Sequence, residues 1–155
     1  MMAVLGGALA ASPARSERLR LECPAATGGS VSVGVMKPFD VFLVAERDSG
    51  KTQLSAVAYK LRLPDGLLMA GEELAVESII GLGNSRDGIN LVFRCTDDPQ
   101  LRVLRFRFLA TRPLQGAVLA RGPAPRTQFL GVVACRDETF AKFATPPDSV
   151  VITAR

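Results

Sequence analysis

The run AERDSGKT at 45–52 comes nearest to a chemical motif in this chain. In a nucleotide-binding loop, backbone amides cradle the phosphates, a lysine reaches the outer phosphates and a threonine holds Mg²⁺. The final Gly-Lys-Thr fits that pattern, but alanine replaces the first glycine, and Glu46 and Asp48 would place negative charge beside phosphate. The residues after Thr52 also alternate like a strand, where the motif requires a helix. We therefore interpret the run as a hairpin-type connection and keep nucleotide binding as an alternative.

Histidine is absent from the sequence. Its absence excludes Ser-His-Asp and Cys-His catalysis and histidine metal sites. Acidic pairs occur at Glu72-Glu73, Asp97-Asp98 and Asp137-Glu138. Adjacent carboxylates on separate turns do not supply the defined separation that a glycosidase or calcium site needs, so we interpret these pairs as solvated turns. The sequence predicts no enzyme, no catalytic or metal-binding residue and no cofactor.

Basic residues are scattered along the chain, and the net charge is only +4. Arg102, Arg105 and Arg107 form a ladder that we interpret as a solvated sheet face. A nucleic-acid surface would show a basic stripe with stacking aromatics, which is lacking, so no nucleic-acid partner is predicted. Sugar platforms rely on exposed Trp and Tyr. The chain has no Trp and one Tyr, and Tyr59 is in phase with residues predicted to face the core.

The three cysteines are Cys23, Cys95 and Cys135. Cys95 and Cys135 lie near predicted strand ends, and in an oxidising compartment they could form a disulfide. The odd count leaves Cys23 over. The alternative is that all three are reduced and buried.

The N-terminus indicates export. Met1–Ala11 is almost wholly apolar, with the length of a signal-peptide core, and is too short to span a bilayer. Ala8-Leu9-Ala10 fits a small-x-small cleavage site, although no basic segment precedes it. We expect a secreted, cell-surface or periplasmic protein without a stable membrane span. The alternative is an apolar, unstructured terminus.

The elements that must position these residues are short strands. Apolar and polar residues alternate, with a period of two, in about nine segments closed by turn residues. The predicted strands are Leu19–Glu22, Ser30–Met36, Phe39–Ala45, Gln53–Leu63, Ile89–Cys95, Leu101–Ala110, Gly116–Ala120, Phe129–Cys135 and Ser149–Ala154. Leu67–Ala70 leads from a turn into Glu73–Ile80, which suits either a strand or a short helix.

The pattern predicts an all-β fold, a two-sheet β-sandwich of jelly-roll or immunoglobulin-like type. We assign residues 1–11 to a signal-peptide remnant, 12–29 to a leader tail with a short edge strand, and 30–155 to a single sandwich domain. Within Leu101–Ala110, the adjacent Val103-Leu104 indicates a bulge. Arg121–Arg126 is expected to be a rigid extended loop.

Several segments resemble bacterial cohesin-like β-sandwich modules. They are PFDVFLV at 38–44, LSAVAYKL at 54–61, PDGL at 64–67, Leu101–Ala110 and GVVAC at 131–135. The resemblance covers roughly Ser30 to Ala154. It implies a nine-stranded, exported, non-catalytic module, and cohesins bind dockerins through one sheet face.

We therefore predict a non-catalytic exported binding or structural module whose partner is an unknown protein or polysaccharide. Protein–protein interaction is the preferred function. The alternatives are a carbohydrate-binding or adhesion module and a nucleotide-binding protein.

Overall fold

The computed structural model describes residues 17–47, 53–136, 139–145 and 148–155. The predicted leader at 1–11, the Asp48–Thr52 part of the loop motif and the Asp137-Glu138 pair lie outside them. Within the described ranges no helix is long and apolar enough to cross a membrane. The all-β prediction is confirmed, with twelve strands in the described residues rather than about nine: β1 Arg18–Glu22, β2 Ser30–Val33, β3 Pro38–Glu46, β4 Gln53–Arg62, β5 Leu67–Leu74, β6 Ser78–Asn84, β7 Gly88–Thr96, β8 Gln100–Ala110, β9 Leu114–Gly122, β10 Gly131–Arg136, β11 Thr139–Ala144 and β12 Ser149–Ala154.

The strands form two sheets that enclose one apolar core. The small sheet has the order β1-β3-β8-β5. The large sheet runs β11-β10-β4-β9-β12-β2, with β7 on the other edge of β4 and β6 beyond β7. Neighbouring strands are antiparallel, except that β12 and β2 are parallel. The predicted β-sandwich is therefore confirmed, and the edge strand near the N-terminus is an integral part of it.

Next to β4, the large sheet contains two ribbons, each made of two strands that lie end to end. One ribbon consists of β10 and β9, the other of β11 and β12, and each is interrupted once between its two strands. β10 pairs with the first half of β4 and β9 with Lys60–Arg62. The amide of Leu61 points to the β7 side of β4, where it donates to the Ser85 carbonyl oxygen at 2.6 Å. β9 therefore lies on the other edge of β4, which is the edge that β10 also occupies. Beside them β12 and β11 follow one another in the same way. The two interruptions are therefore neighbours: one is the segment 123–130, and the other is the break between Ala144, where β11 ends, and Ser149, where β12 begins.

The alternation in β8 places its apolar side chains inside and its arginines outside, as predicted. Leu104, Phe106 and Phe108 are buried, and the Phe106 and Phe108 ring centroids are 6.0 Å apart. Tyr59 packs edge-on against Phe106 at 6.4 Å. The predicted bulge is also present, because the register with β3 skips Val103.

Three local predictions differ from the structure. The ambiguous segment at 73–80 is divided between β5 and β6 and contains no helix. β11 was not predicted. Arg121 and Gly122 belong to the end of β9 rather than to an extended loop, because Arg121 continues the inward phase of Leu119 and is 1% exposed.

A buried ion pair joins the two sheets beside the interruptions. Arg121 Nε donates to Asp148 Oδ1 at 2.5 Å. The other carboxylate oxygen accepts the amide of Leu21 in β1 at 2.8 Å, and Thr145 Oγ1 accepts the amide of Leu19 at 3.0 Å. The side chains of Thr145 and Asp148 thus accept hydrogen bonds from the free edge of β1 and connect the small sheet to the large one.

The Asp148 carboxylate is the main group that offsets the buried positive charge of Arg121. Burial lowers the pKa of the Arg121 guanidinium, against the opposing effect of the Asp148 carboxylate. The terminal nitrogens Nη1 and Nη2 are buried and have no hydrogen-bond partner in the described part of the chain. The Asp148 side chain is 33% exposed, whereas that of Arg121 is 0% exposed.

This asymmetry predicts unequal effects of the two single substitutions. Asp148→Asn keeps an acceptor for the Leu21 amide but leaves the Arg121 charge buried and uncompensated, which should lower the free energy of unfolding by about 3–5 kcal/mol. Arg121→Met leaves a carboxylate that water can reach, so the loss should be smaller. Combining Arg121→Met with Asp148→Asn should recover much of the stability lost in Asp148→Asn. Denaturant unfolding of the three variants measures these differences, and equal losses in the two single variants would contradict the argument.

Candidate protein-binding face

The outer face of the large sheet carries a line of apolar side chains that crosses four strands. The register sets Ile80 of β6 opposite Val92 of β7, Val92 opposite Ala56 of β4, and Ala56 opposite Val133 of β10. Val92, Ala56 and Val133 alternate with buried residues and so face outward. Ile80 is on the same face because it pairs directly with Val92. We call these four residues the apolar row. Ile80 is 51% exposed, and the other three are half-buried.

A loop covers the next line of the same face. This line consists of Leu82, Asn90, Ala58 and Gly131. Residues 123–130, which we call the strap, reach over it from β9. Thr127 Oγ1 donates to Asn90 Oδ1 at 3.4 Å, and the strap's Phe129 lies against Gly131. Ala58 lies between these contacts and is only 5% exposed.

Two glycines allow the strap to lie this close to the sheet. At Gly88, φ is +111°, and a Cβ would meet Pro125 Cδ of the strap at 2.4 Å. At Gly131, φ is +155°, and a Cβ would meet Phe129 Cζ of the strap at 3.0 Å and the Phe143 carbonyl oxygen of β11 at 2.0 Å. Both positions favour glycine because of φ and of the close neighbours. The strap therefore ends the open part of the face at the apolar row.

The row begins at an unpaired strand edge. β6 pairs with β7 alone among the described strands. Ile79, Ile80 and Leu82 are 60%, 51% and 56% exposed, and β6 contains neither a charged residue nor proline. Soluble proteins normally protect such an edge. Its exposure here is typical of a surface that meets another chain.

A disulfide flanks the row on the side away from the strap. Cys135 follows Val133 on the same face of β10, and the structure joins it to Cys95 of β7, with their Cα atoms 6.2 Å apart. The bond connects the two neighbours of β4 across its first residues. Cys23 is the remaining cysteine and is buried. Whether the bond forms in solution stays a prediction, which is tested below.

Solved structures of cohesin modules are similar to this chain over most of its length. The cohesin module of a Clostridium perfringens family 33 glycoside hydrolase matches with a TM-score of 0.63 and 12% identity, covering 90% of this chain and 98% of that one. The fold is cohesin-like. The seventh ScaB type I cohesin of Pseudobacteroides cellulosolvens matches at 0.56 and 11% identity, covering 80% and 86%. No protein-family model matches the chain, and no curated protein does.

A third similar structure contains a bound partner. The sixth cohesin of scaffoldin B from Acetivibrio cellulolyticus, in complex with a Cel5 dockerin, matches at a TM-score of 0.53 and 8% identity, covering 90% of this chain and 99% of that one. The predicted likeness to cohesin-like sandwiches is thus confirmed at the level of the fold.

The opposite face of the cohesin-like sandwich is a network of ion pairs. Arg105 and Arg107 both bond to Asp40, with shortest distances of 2.6 and 3.2 Å. Glu22 and Glu46 take up further arginines, including Arg102, Arg18 and Arg20. The arginine ladder is therefore a polar sheet face, as interpreted from sequence, and its charges are satisfied within the molecule.

These pairs hold the carboxylates of the small sheet in their ionised form. A hydrogen bond from Arg105 lowers the pKa of Asp40, and one from Arg102 lowers that of Glu22. Burial opposes ionisation of Glu46, but hydrogen bonds from Arg18 and Arg20 outweigh it and keep its pKa below the usual value.

The other residues singled out from sequence do not gather into a site. Ala45 is buried and Glu46 is ion-paired at the end of β3, and a strand rather than a helix follows the loop motif. Tyr59 is fully buried, and its hydroxyl lies 2.5 Å from Ser85 Oγ. An open depression at the β4–β5 turn contains Asp65 and Arg86 as its charged lining residues.

The disulfide should stabilise the face that it frames. The bond closes a loop between residues 40 positions apart, and reduction should lower the free energy of unfolding by on the order of 2–4 kcal/mol. The measurement is thermal or denaturant unfolding with and without reductant. The Cys95→Ser/Cys135→Ser variant serves as control, because reductant should not change its stability. Identical melting of the native chain with and without reductant would contradict the pairing.

The ion pairs of Glu46 predict a pH-dependent contribution to stability. Because the folded pKa of Glu46 is lowered, the stabilisation is complete above the ordinary value of 4.5 and is lost as the pH falls through the folded value. Glu46→Gln should lower the free energy of unfolding by about 0.5–1 kcal/mol at neutral pH, and the difference should disappear once the pH has fallen below the folded pKa of Glu46. Glu73→Gln is the matched control, since that side chain is 73% exposed and 3.8 Å from Arg105. A Glu46→Gln difference that persists in acid would contradict the prediction.

Proposed function

We propose that this chain is an exported, non-catalytic protein-binding module that receives a dockerin-like partner on the outer face of its large sheet. The observation that carries the proposal is the apolar row, which runs without interruption from the exposed edge of β6 to β10. Such a row offers a partner apolar area without requiring the scaffold to rearrange.

The two faces of the sandwich differ in what they offer a partner. The charges of the small sheet are bound to one another, and a partner there would have to displace formed ion pairs. On the large sheet, the strap and the disulfide frame an apolar line at whose edge Ile80 is 51% exposed. Large apolar side chains at the centre of a patch supply most of the binding energy in protein interfaces. The contrast therefore favours the large sheet.

Other features support a binding role over catalysis or sugar binding. The chain has no histidine and no Trp, and its single Tyr is buried, so it cannot stack on a pyranose ring. The Cys95–Cys135 bond is suited to an oxidising compartment, which supports export.

Binding of dockerin modules tests the proposal. A panel of purified dockerins, including the partner of the Acetivibrio cellulolyticus cohesin, is titrated into the native chain by calorimetry. We expect at least one to bind with a Kd of about 10 μM or tighter. Ile80→Lys places a charge in the apolar row and should weaken that binding by more than about tenfold.

Leu68→Lys is the matched control, because Leu68 is 45% exposed but lies on β5 of the small sheet. Its dockerin affinity should equal that of the native chain. Failure of every dockerin to bind, or loss of binding in Leu68→Lys but not in Ile80→Lys, would overturn the proposal. A glycan array is the parallel arm, and glycan binding that survives Ile80→Lys would favour the carbohydrate alternative instead.

A further inference from the structure

Charge is unevenly divided between the two sheets. The strands of the small sheet contain five basic and five acidic residues: Arg18, Arg20, Arg102, Arg105, Arg107, Glu22, Asp40, Glu46, Glu72 and Glu73. The eight strands of the large sheet contain no acidic residue and six basic ones: Lys60, Arg62, Arg94, Arg121, Arg136 and Lys142. The modest net charge of the chain conceals this separation.

The positive charges of the large sheet lie around the apolar row. Lys142 of β11 is directly opposite Val133, and Arg94 is two residues beyond Val92, in phase with it on β7. Lys60 and Arg62 continue the outer phase of β4 past the strap. The row therefore has cations at its β10 end, beside its middle and beyond the strap.

Four of these cations form no ion pair within the described residues. All five arginines of the small sheet are in ion pairs. By contrast, Lys60, Arg62, Arg94 and Lys142 are in none of the ion pairs that the described ranges contain. Cations without ion-pair partners attract a partner of the opposite sign and disfavour partners of the same sign.

We infer that the partner bound at the apolar row is a protein whose contact surface carries acidic side chains around an apolar centre. The inference rests on the proposed function and adds the chemistry of the partner. A second copy of the chain fits poorly, because two large-sheet faces would bring their cations together. A nucleic acid fits poorly as well, because an apolar row gives phosphates no contact and the row has no aromatic side chain for base stacking.

Two short peptides test the inference. In the acidic probe glutamate alternates with leucine, and in the basic probe lysine replaces every glutamate. Each is titrated into the ¹⁵N-labelled native chain and followed by NMR at low and at raised ionic strength. We expect the acidic probe to shift the amides of β4, β7 and β10, and its affinity to fall about tenfold or more as salt screens the charges. The basic probe should leave those amides unchanged.

Charge reversal identifies the cations responsible. The variant Lys60→Glu/Arg94→Glu/Lys142→Glu should bind the acidic probe at least about tenfold more weakly than the native chain. The matched control Lys37→Glu/Arg112→Glu/Arg155→Glu changes the net charge equally at exposed residues outside the large-sheet strands and should bind the probe within about twofold of the native chain. Circular dichroism verifies that both variants are folded.

The outcomes separate this inference from the proposed function. Dockerin binding that Ile80→Lys abolishes but charge reversal leaves unchanged would overturn the acidic partner and keep the binding face. Equal effects of the two triple variants would also overturn it, because net charge alone would then explain the loss. Tighter binding of heparin or single-stranded DNA than of the acidic peptide would assign the cations to a polyanion. Concentration-dependent dimerisation that buries β6 would assign the face to a second copy.

Discussion

The carboxylate of Asp148 is shared by the two layers of the sandwich. One oxygen compensates the buried guanidinium of Arg121 in the large sheet, and the other accepts an amide from the free edge of β1. Apolar packing alone would let the sheets slide, since it is not directional. A buried charge with one carboxylate partner allows far fewer arrangements. Three features of the fold meet at this ion pair. They are the position of β1, the interruption of both ribbons and the course of the strap.

The sequence predicted best where one strand face is buried and the other is solvated. β8 alternates strictly on either side of its bulge, so its phase, its inward aromatics and its outward arginines were readable. The end of β9 was misjudged because Arg121 is charged, and a charged residue is normally assigned to the surface unless its partner is known. Asp148 is 27 residues away in sequence, and nothing local connects the two.

The apolar row was unreadable for a different reason. Each of its members is an ordinary small or branched residue in an ordinary strand, and only the register across β6, β7, β4 and β10 aligns them. Register between strands distant in sequence is a property of the folded sheet rather than of any single segment. The uneven division of charge between the two sheets could not be predicted for the same reason, because it appears only once the strands are assigned to sheets.

The strap interrupts a ribbon without disturbing its ladder, since β9 and β10 meet the same edge of β4 on either side of it. The exposed residues 125–128 of the strap, between the bridged residues Ala124 and Phe129, can change in length or composition while every strand register stays fixed. Exchanging these exposed residues would alter the border of the apolar row while the row itself stays in place, which makes them a natural place for divergence between related modules and for grafting in the laboratory.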